Sequence, residues 1–230
     1  MDLPALWTSF ISTSSPLLPQ AVLVRWALPL FWAVVLVFAV LYATKSLARP
    51  RGKFIALAVV AWAFVPGSWS PVYWLGLAFQ LPSLMTVGLC AIALVSHWRA
   101  SVRSPFEGGI AALQWLGILL GWLLLLDTFL VLPFVAYRWG YSPAMLTLLV
   151  VMAVGLWVFA PRDAARGPKL LLIGLAVFVA TRLPSGNVFD AVIDPWLWFA
   201  LHISAFKRWR ARRRSLAHHS TISGRATTRG

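Results

Sequence analysis

Acidic residues are scarce in this chain: six among 230 residues, against 20 lysines and arginines. A single cysteine, Cys90, excludes an intramolecular disulfide and any CxxC metal or redox site. Charged residues make up only 11% of the sequence, where a soluble domain carries roughly a quarter. Too few polar side chains remain to cover a water-facing globule, so lipid is the expected solvent. Catalytic signatures are missing too: HExxH, GxSxG, a phosphate-cradling glycine loop and paired aspartates in mid-helix. The expectation is a chain that is not an enzyme and that carries no metal and no cofactor.

What the sequence has in abundance is apolar length. It is 60% hydrophobic, with a mean hydropathy of +0.81. The apolar runs are Val22–Tyr42, Phe54–Pro66, Pro71–Val95, Gly109–Ala136, Pro143–Ala160, Leu170–Leu183 and Pro195–Phe206. Read against the roughly 20 residues that a helix needs to span hydrocarbon, they predict an all-α, polytopic transmembrane helix bundle of about seven helices. Residues 1–21 are expected outside it as an interfacial segment. Residues 22–206 form the bundle, and 207–230 a basic cytoplasmic tail, disordered from Ser215 onward. Leu3, Leu6, Trp7, Phe10 and Ile11 recur at helical spacing, which suggests a short helix on the outer interface. No basic n-region precedes the first run, so a cleaved signal peptide is not expected.

Three helix starts carry a cap: Ser70-Pro71, Ser142-Pro143 and Asp194-Pro195. Each pairs a side-chain acceptor with proline at the first helical position, where a missing N–H costs nothing. Charge sets the orientation independently. Only Arg25, Arg138 and Arg182 fall on the side of these caps. The other seventeen lysines and arginines fall opposite, in Lys45–Lys53, Arg99–Arg103, Arg162–Lys169 and the tail. By the positive-inside rule the N-terminus lies outside and the C-terminus in the cytoplasm, which for a bacterial chain means the inner membrane. Tryptophans and tyrosines flank both ends, as Trp69, Tyr73 and Trp139 do outside and Trp98 and Trp157 inside.

Two runs are short. Phe54–Pro66 and Leu170–Leu183 cover roughly 20 Å at about 1.5 Å per residue, less than the hydrocarbon thickness. Their contexts read alike. Arg51-Gly52-Lys53 precedes the first, followed by Val65-Pro66-Gly67 and by Pro71 with Trp74. Arg166-Gly167-Pro168-Lys169 precedes the second, followed by Leu183-Pro184-Ser185-Gly186 and by Pro195 with Trp198. The match predicts parallel three-helix repeats about a linker helix, Gly109–Ala136, a layout known among carriers. Layout by itself does not convey function.

The few acids are the informative polar residues. Asp2, Asp127, Asp190 and Asp194 fall on the outer side, and Glu107 and Asp163 on the inner. Intramembrane carboxylates are costly and face a partner or a cavity, and Arg182 is the natural counter-charge for Asp127. Asp127, Arg182, Asn187, Asp190, Asp194 and Gln80 are thus the candidate polar pocket, with Thr147 as a further hydroxyl. Asp194 reads equally as the cap already described. Of the histidines, His97 reads as an interfacial residue and His202 as a packing residue. The His218-His219 pair has too few companions for a metal site.

The tail residues Lys207, Arg208, Arg210, Arg212, Arg213 and Arg214 are candidate contacts for anionic lipid headgroups, at about 1 kcal/mol each. They also serve as a stop-transfer anchor. Without a folded cytoplasmic module, nucleic acid is not an expected partner; another membrane protein is. Two functions follow from the sequence: a non-enzymatic accessory or scaffold subunit, or a carrier of a small polar solute using the outward-facing charged pocket.

Overall fold

The computed structural model of the chain describes residues 8–13, 16–44, 51–98, 111–161 and 164–226, apart from the side chains of His97, Arg212 and residues 215–226. Leu3, Leu6, Trp7, Lys45, Arg49, Arg99, Arg103, Glu107, Arg162, Asp163 and Asp2 lie outside the described residues, as do the side chains of His218 and His219. Phe10 and Ile11 close one exposed helical turn.

The chain is all-helical among the described residues. α1 spans Ala21–Ala43, α2 Arg51–Ala63, α3 Pro71–Phe79, α4 Leu84–Trp98 and α5 Ala111–Thr128. They are followed by α6 Pro143–Phe159, α7 Arg166–Thr181, α8 Val188–Val192 and α9 Pro195–Ala226. Short 3-10 turns, Gly67–Trp69 and Tyr137–Tyr141, precede α3 and α6.

Two helices, α1 with 23 residues and α5 with 18, are long and apolar enough to cross a membrane. Two of the apolar runs, Pro71–Val95 and Gly109–Ala136, make shorter helices than their hydropathy predicts, for identifiable reasons. Pro71–Val95 is not one helix. Pro82 disfavours helical backbone at the residue before it, and Gln80 adopts a left-handed φ of 57°, so the run divides into α3 and α4. Gly109–Ala136 ends as a helix at Thr128. Leu130 turns left-handed, at φ 56°, and the N–H of Val131 reaches back to the carbonyl of Leu126. Conversely, α9 continues beyond Phe206 and past Ser215, where composition predicts disorder, to Ala226. No proline interrupts it after Pro195.

All three caps are present. Ser70 accepts from the Val72 N–H at 3.1 Å, Ser142 from Met145 at 3.2 Å, and Asp194 from Leu197 at 2.7 Å.

α7 is the centre of the main core. Its Leu171, Leu175 and Phe178 pack among Leu84 and Met85 of α4, Leu149 and Ala153 of α6, Val188 and Phe189 of α8, and Leu197 of α9. α1 packs separately on α2 and α4 through Val37, Leu41, Ala56, Val59 and Leu94. α5 and α9 run antiparallel. The Trp198 indole donates to the Ile118 carbonyl at 3.2 Å, and Gln114 donates to the Leu201 carbonyl at 2.7 Å. The close approach depends on Gly117 and Gly121, where a β-carbon would run into Leu201 and Trp198.

The two stretches that read alike both fold as a helix, a turn and an interrupted helix: α2 then α3 and α4, α7 then α8 and α9. Their registers differ, because Pro71 precedes the first interruption and Pro195 follows the second. Their packing differs as well: α4 lies against α1, while α9 lies against α5.

Candidate functional site

The described carboxylates, Asp127, Asp190 and Asp194, sit at one end of the bundle, where α5 and α7 finish and α6 and α9 begin. Asp127 is in the last turn of α5 and is buried. Its carboxylate accepts the backbone N–H of Ala136 at 3.0 Å and that of Tyr137 at 2.8 Å. The returning chain is thereby pinned against the helix it has just left.

Tyr137 carries the connection onward. Its hydroxyl donates to Asp190 at 2.6 Å, where the Ser185 hydroxyl also donates. Its carbonyl accepts from the Asn187 amide at 2.9 Å. Asn187 is fully buried and uses its other side-chain atom to cap α8, accepting from Phe189 N–H at 2.9 Å. Gly140 lies directly beneath this amide, with no room for a β-carbon. Burial, followed by the bond to Asp190, pushes the Tyr137 phenol above its ordinary range. Hydrogen bonds to charged groups contribute roughly 1.5–3 kcal/mol each, so this network braces four segments: the end of α5, the 3-10 turn, the loop after α7 and α8.

Asp194 makes a second junction. Besides capping α9 it accepts the Ser83 N–H at 2.7 Å. Ser83 in turn caps α4 by accepting from Thr86 N–H at 3.1 Å. The starts of the two interrupted helices thus meet on one carboxylate. Gln80 is exposed, and it is its carbonyl that is engaged, accepting from the Trp32 indole at 2.8 Å.

Arg182 stands apart from these acids. It ends α7 in a left-handed conformation, φ 59°, with its N–H on the Phe178 carbonyl. Its guanidinium lies over the Phe178 ring, 5.4 Å from the centroid. It lines a cavity of about 340 Å³ with Ser9, Ser12, Tyr141, Ser142 and Gly186. The pocket expected from sequence therefore resolves into three places: a carboxylate–tyrosine brace, the Asp194 junction with Gln80 beside it, and a cleft holding Arg182. Asp127 has backbone partners and not Arg182. Thr147 bonds to the Pro143 carbonyl of its own helix.

Sequence reasoning missed Tyr137 and Ser83. Tyr137 reads as one more interfacial aromatic, and only the Asp190-x3-Asp194 and Asn187 context hints at a buried acceptor. Ser83 stands out once Pro82 is taken as a break, since serine after a break is a cap.

At the opposite end lie the basic residues. Lys207, Arg210, Arg213 and Arg214 are exposed on α9, while Arg208 is half-buried. The Arg213 guanidinium stacks 4.4 Å from the Trp209 centroid. His202 donates from Nδ1 to the Trp198 carbonyl, 2.9 Å away, and packs edge-on against Trp198 and Trp122. It is a packing residue.

No protein-family model matches this chain, and no characterised protein or solved structure is detectably similar to it.

Proposed function

We propose that the chain is a multi-pass protein of the cytoplasmic membrane, crossing seven times with its C-terminus inside, and that it acts without catalysis as an accessory or scaffold subunit. The observation that carries the membrane reading is apolar exposure in the middle of the helices. Leu57 of α2, Leu119 of α5, Leu148 and Val151 of α6, Ile173 of α7 and Ile203 of α9 are each more than half exposed. Burying such a side chain contributes about 1.5–3 kcal/mol in water. Six left half-covered would forgo roughly 5–9 kcal/mol, as much as many domains have in total. In hydrocarbon that loss vanishes.

α6 supports the same reading, since it carries no charged residue and is apolar on every face. The short passes are completed by irregular backbone at the acidic end. Such backbone is tolerated at depth when protein buries it, and Val188, Phe189 and Ala191 are buried. The scaffold part of the reading rests on how the acids are used. Asp127, Asp190 and Asp194 hold the protein's own backbone and hydroxyl groups, which leaves them poorly suited to handle a substrate.

The test has two arms. Alkaline extraction should leave the chain in the membrane, and reporters fused after residues 69 and 187 should both read outside. An inside signal at either would reduce the crossings to five. Purification in mild detergent should bring down a second membrane protein in stoichiometric amount.

A second reading, a carrier of a small polar solute, is favoured by one feature, the Arg182 cleft. A monodisperse, partner-free preparation stabilised by a small anionic solute would favour it over the scaffold.

A further inference from the structure

A second cavity runs from Ile193 and Leu197, beside the acidic end, to Arg208 at the basic end, and its chemistry is unlike that of the Arg182 cleft. It occupies about 130 Å³ between α4, α5, α7 and α9 and is walled by Met85, Leu89, Leu113, Leu171 and Leu201, with Arg208 at one end. Its lining on α9 runs from Leu197 to Arg208, about 17 Å of helix at 1.5 Å per residue. The polar groups along it are nearly all used. Gln114 is committed to the Leu201 carbonyl at 2.7 Å, and Ser204 accepts from Arg208 at a long 3.4 Å.

Among the described residues that line the cleft, Arg208 is therefore the one strong donor left over. Its neighbours in the tail, Lys207, Arg210, Arg213 and Arg214, are exposed, whereas Arg208 is half-buried against the cleft. The described carboxylates lie at the far end of the bundle, bonded to Ala136, Tyr137, Ser83 and Leu197. A guanidinium presents five donors in a planar fork suited to a phosphate, and this one is bonded only to a serine among the described residues. Arg166, exposed in the first turn of α7 beside the lining residue Gly167, brings a second guanidinium to the same end.

We propose that this cleft holds one acyl chain of an anionic phospholipid, with its phosphate bound by Arg208. The assignment rests on the membrane reading given above. An apolar trough ending at a cation in the headgroup region matches a molecule that is apolar along its length and anionic at one end. A polar solute matches only the arginine, and an apolar helix of a partner only the trough.

The test uses the full chain in mild detergent, supplied with phosphatidylglycerol or with phosphatidylcholine carrying the same chains, and native mass spectrometry to count retained lipid. Wild type should retain one phosphatidylglycerol in preference to phosphatidylcholine. Arg208→Gln should weaken that retention by about fivefold, the factor one basic residue contributes at an anionic surface, while Arg214→Gln, at a position that does not line the cleft, should weaken it clearly less. Leu116→Trp, at a cleft position that is partly exposed, should lower retention of both lipids by filling the chain's place.

Equal losses from Arg208→Gln and Arg214→Gln would reduce the effect to diffuse charge and overturn the site. So would release of the lipid by inorganic phosphate alone, or a second polypeptide occupying the cleft in stoichiometric amount. Alkaline extraction reads the membrane assignment separately. A chain that resists extraction but shows no lipid preference would sink this site and leave that assignment standing.

Discussion

The backbone N–H of Ser83 donates a 2.7 Å hydrogen bond to the carboxylate of Asp194, 111 residues further along the chain. The same carboxylate caps α9 through Leu197, so one side chain terminates two helices. Asp194→Ala removes a cap, worth about 0.5–2 kcal/mol, and a charge-assisted bond, worth roughly 1.5–3 kcal/mol. Stability in detergent should fall by about 2–5 kcal/mol. Ser83→Ala removes the local cap on Thr86 and the bond its hydroxyl donates to the Thr86 hydroxyl, and should cost about 1–2 kcal/mol. Equal losses from the two variants would mean that Asp194 does nothing across the junction.

Tyr137 makes the brace sensitive to high pH. Its phenol is raised above the ordinary value of 10.0 by burial and by Asp190. A group that holds its proton more tightly when folded contributes stability that is intact below its unfolded pKa and declines as pH rises above it. Melting temperature should therefore begin to fall above about pH 10 in the wild type. Tyr137→Phe should start lower, having lost the 2.6 Å bond to Asp190, and should decline less steeply over the same range. Parallel pH profiles would show that the phenol ionises as freely in the folded chain as in the unfolded one.

The parts of this structure that were legible in the sequence are those decided locally. Ser70, Ser142 and Asp194 cap helices because cap chemistry needs only a side-chain oxygen and the next two or three amides. Helix positions followed from apolar runs for the same reason. The interruption at Gln80–Ser83 was written in four residues, Gln80-Leu81-Pro82-Ser83, and averaging over a window hides so short a dip in a long apolar run. The partners of Asp127 were beyond sequence reasoning altogether. Charge complementarity names Arg182, but a carboxylate is satisfied equally well by two backbone amides, and every residue of a returning loop offers one. Arg208 was legible as a member of a basic cluster. Its distinction from Arg210 and Arg214 depends on which face of α9 meets α5, and the basic tail has no apolar periodicity to reveal that.

Two glycines should respond in opposite directions to the same change. Gly140→Ala would place a β-carbon on the Asn187 amide, with the Phe189 ring close behind. Because Asn187 is fully buried and holds both Tyr137 and the start of α8, the loop has nowhere to shift. A loss of about 1–3 kcal/mol, the usual cost of overpacking, is expected. Gly155 lies within α6 with open space around it. Gly155→Ala should stabilise by up to about 1 kcal/mol through helix propensity. Both are read from melting curves of the purified chain, and a neutral Gly140→Ala would show that the Asn187 contact is loose.

Asp127 and Arg182 provide the sharpest test of how the acidic end works, because charge alone pairs them and the structure keeps them apart. Asp127→Ala strands the N–H groups of Ala136 and Tyr137, which it accepts at 3.0 and 2.8 Å. Ala136 is buried, so water cannot readily replace the lost acceptor. A loss of roughly 2–4 kcal/mol is expected. Arg182→Gln gives up only the stacking over Phe178, worth about 0.5–1 kcal/mol. With no shared partner, the two changes should add to within about 0.5 kcal/mol in the double variant. Recovery of the Asp127→Ala loss on adding Arg182→Gln would show instead that the charges pair and that the brace is secondary. The same variants separate structure from binding. If a small anion stabilises the wild type, Arg182→Gln should abolish that increment while keeping most of the stability. Asp127→Ala should show the reverse, a lower melting temperature that the anion still raises. An increment lost equally in both would place the anion at neither residue and remove the support that the Arg182 cleft gives to a carrier.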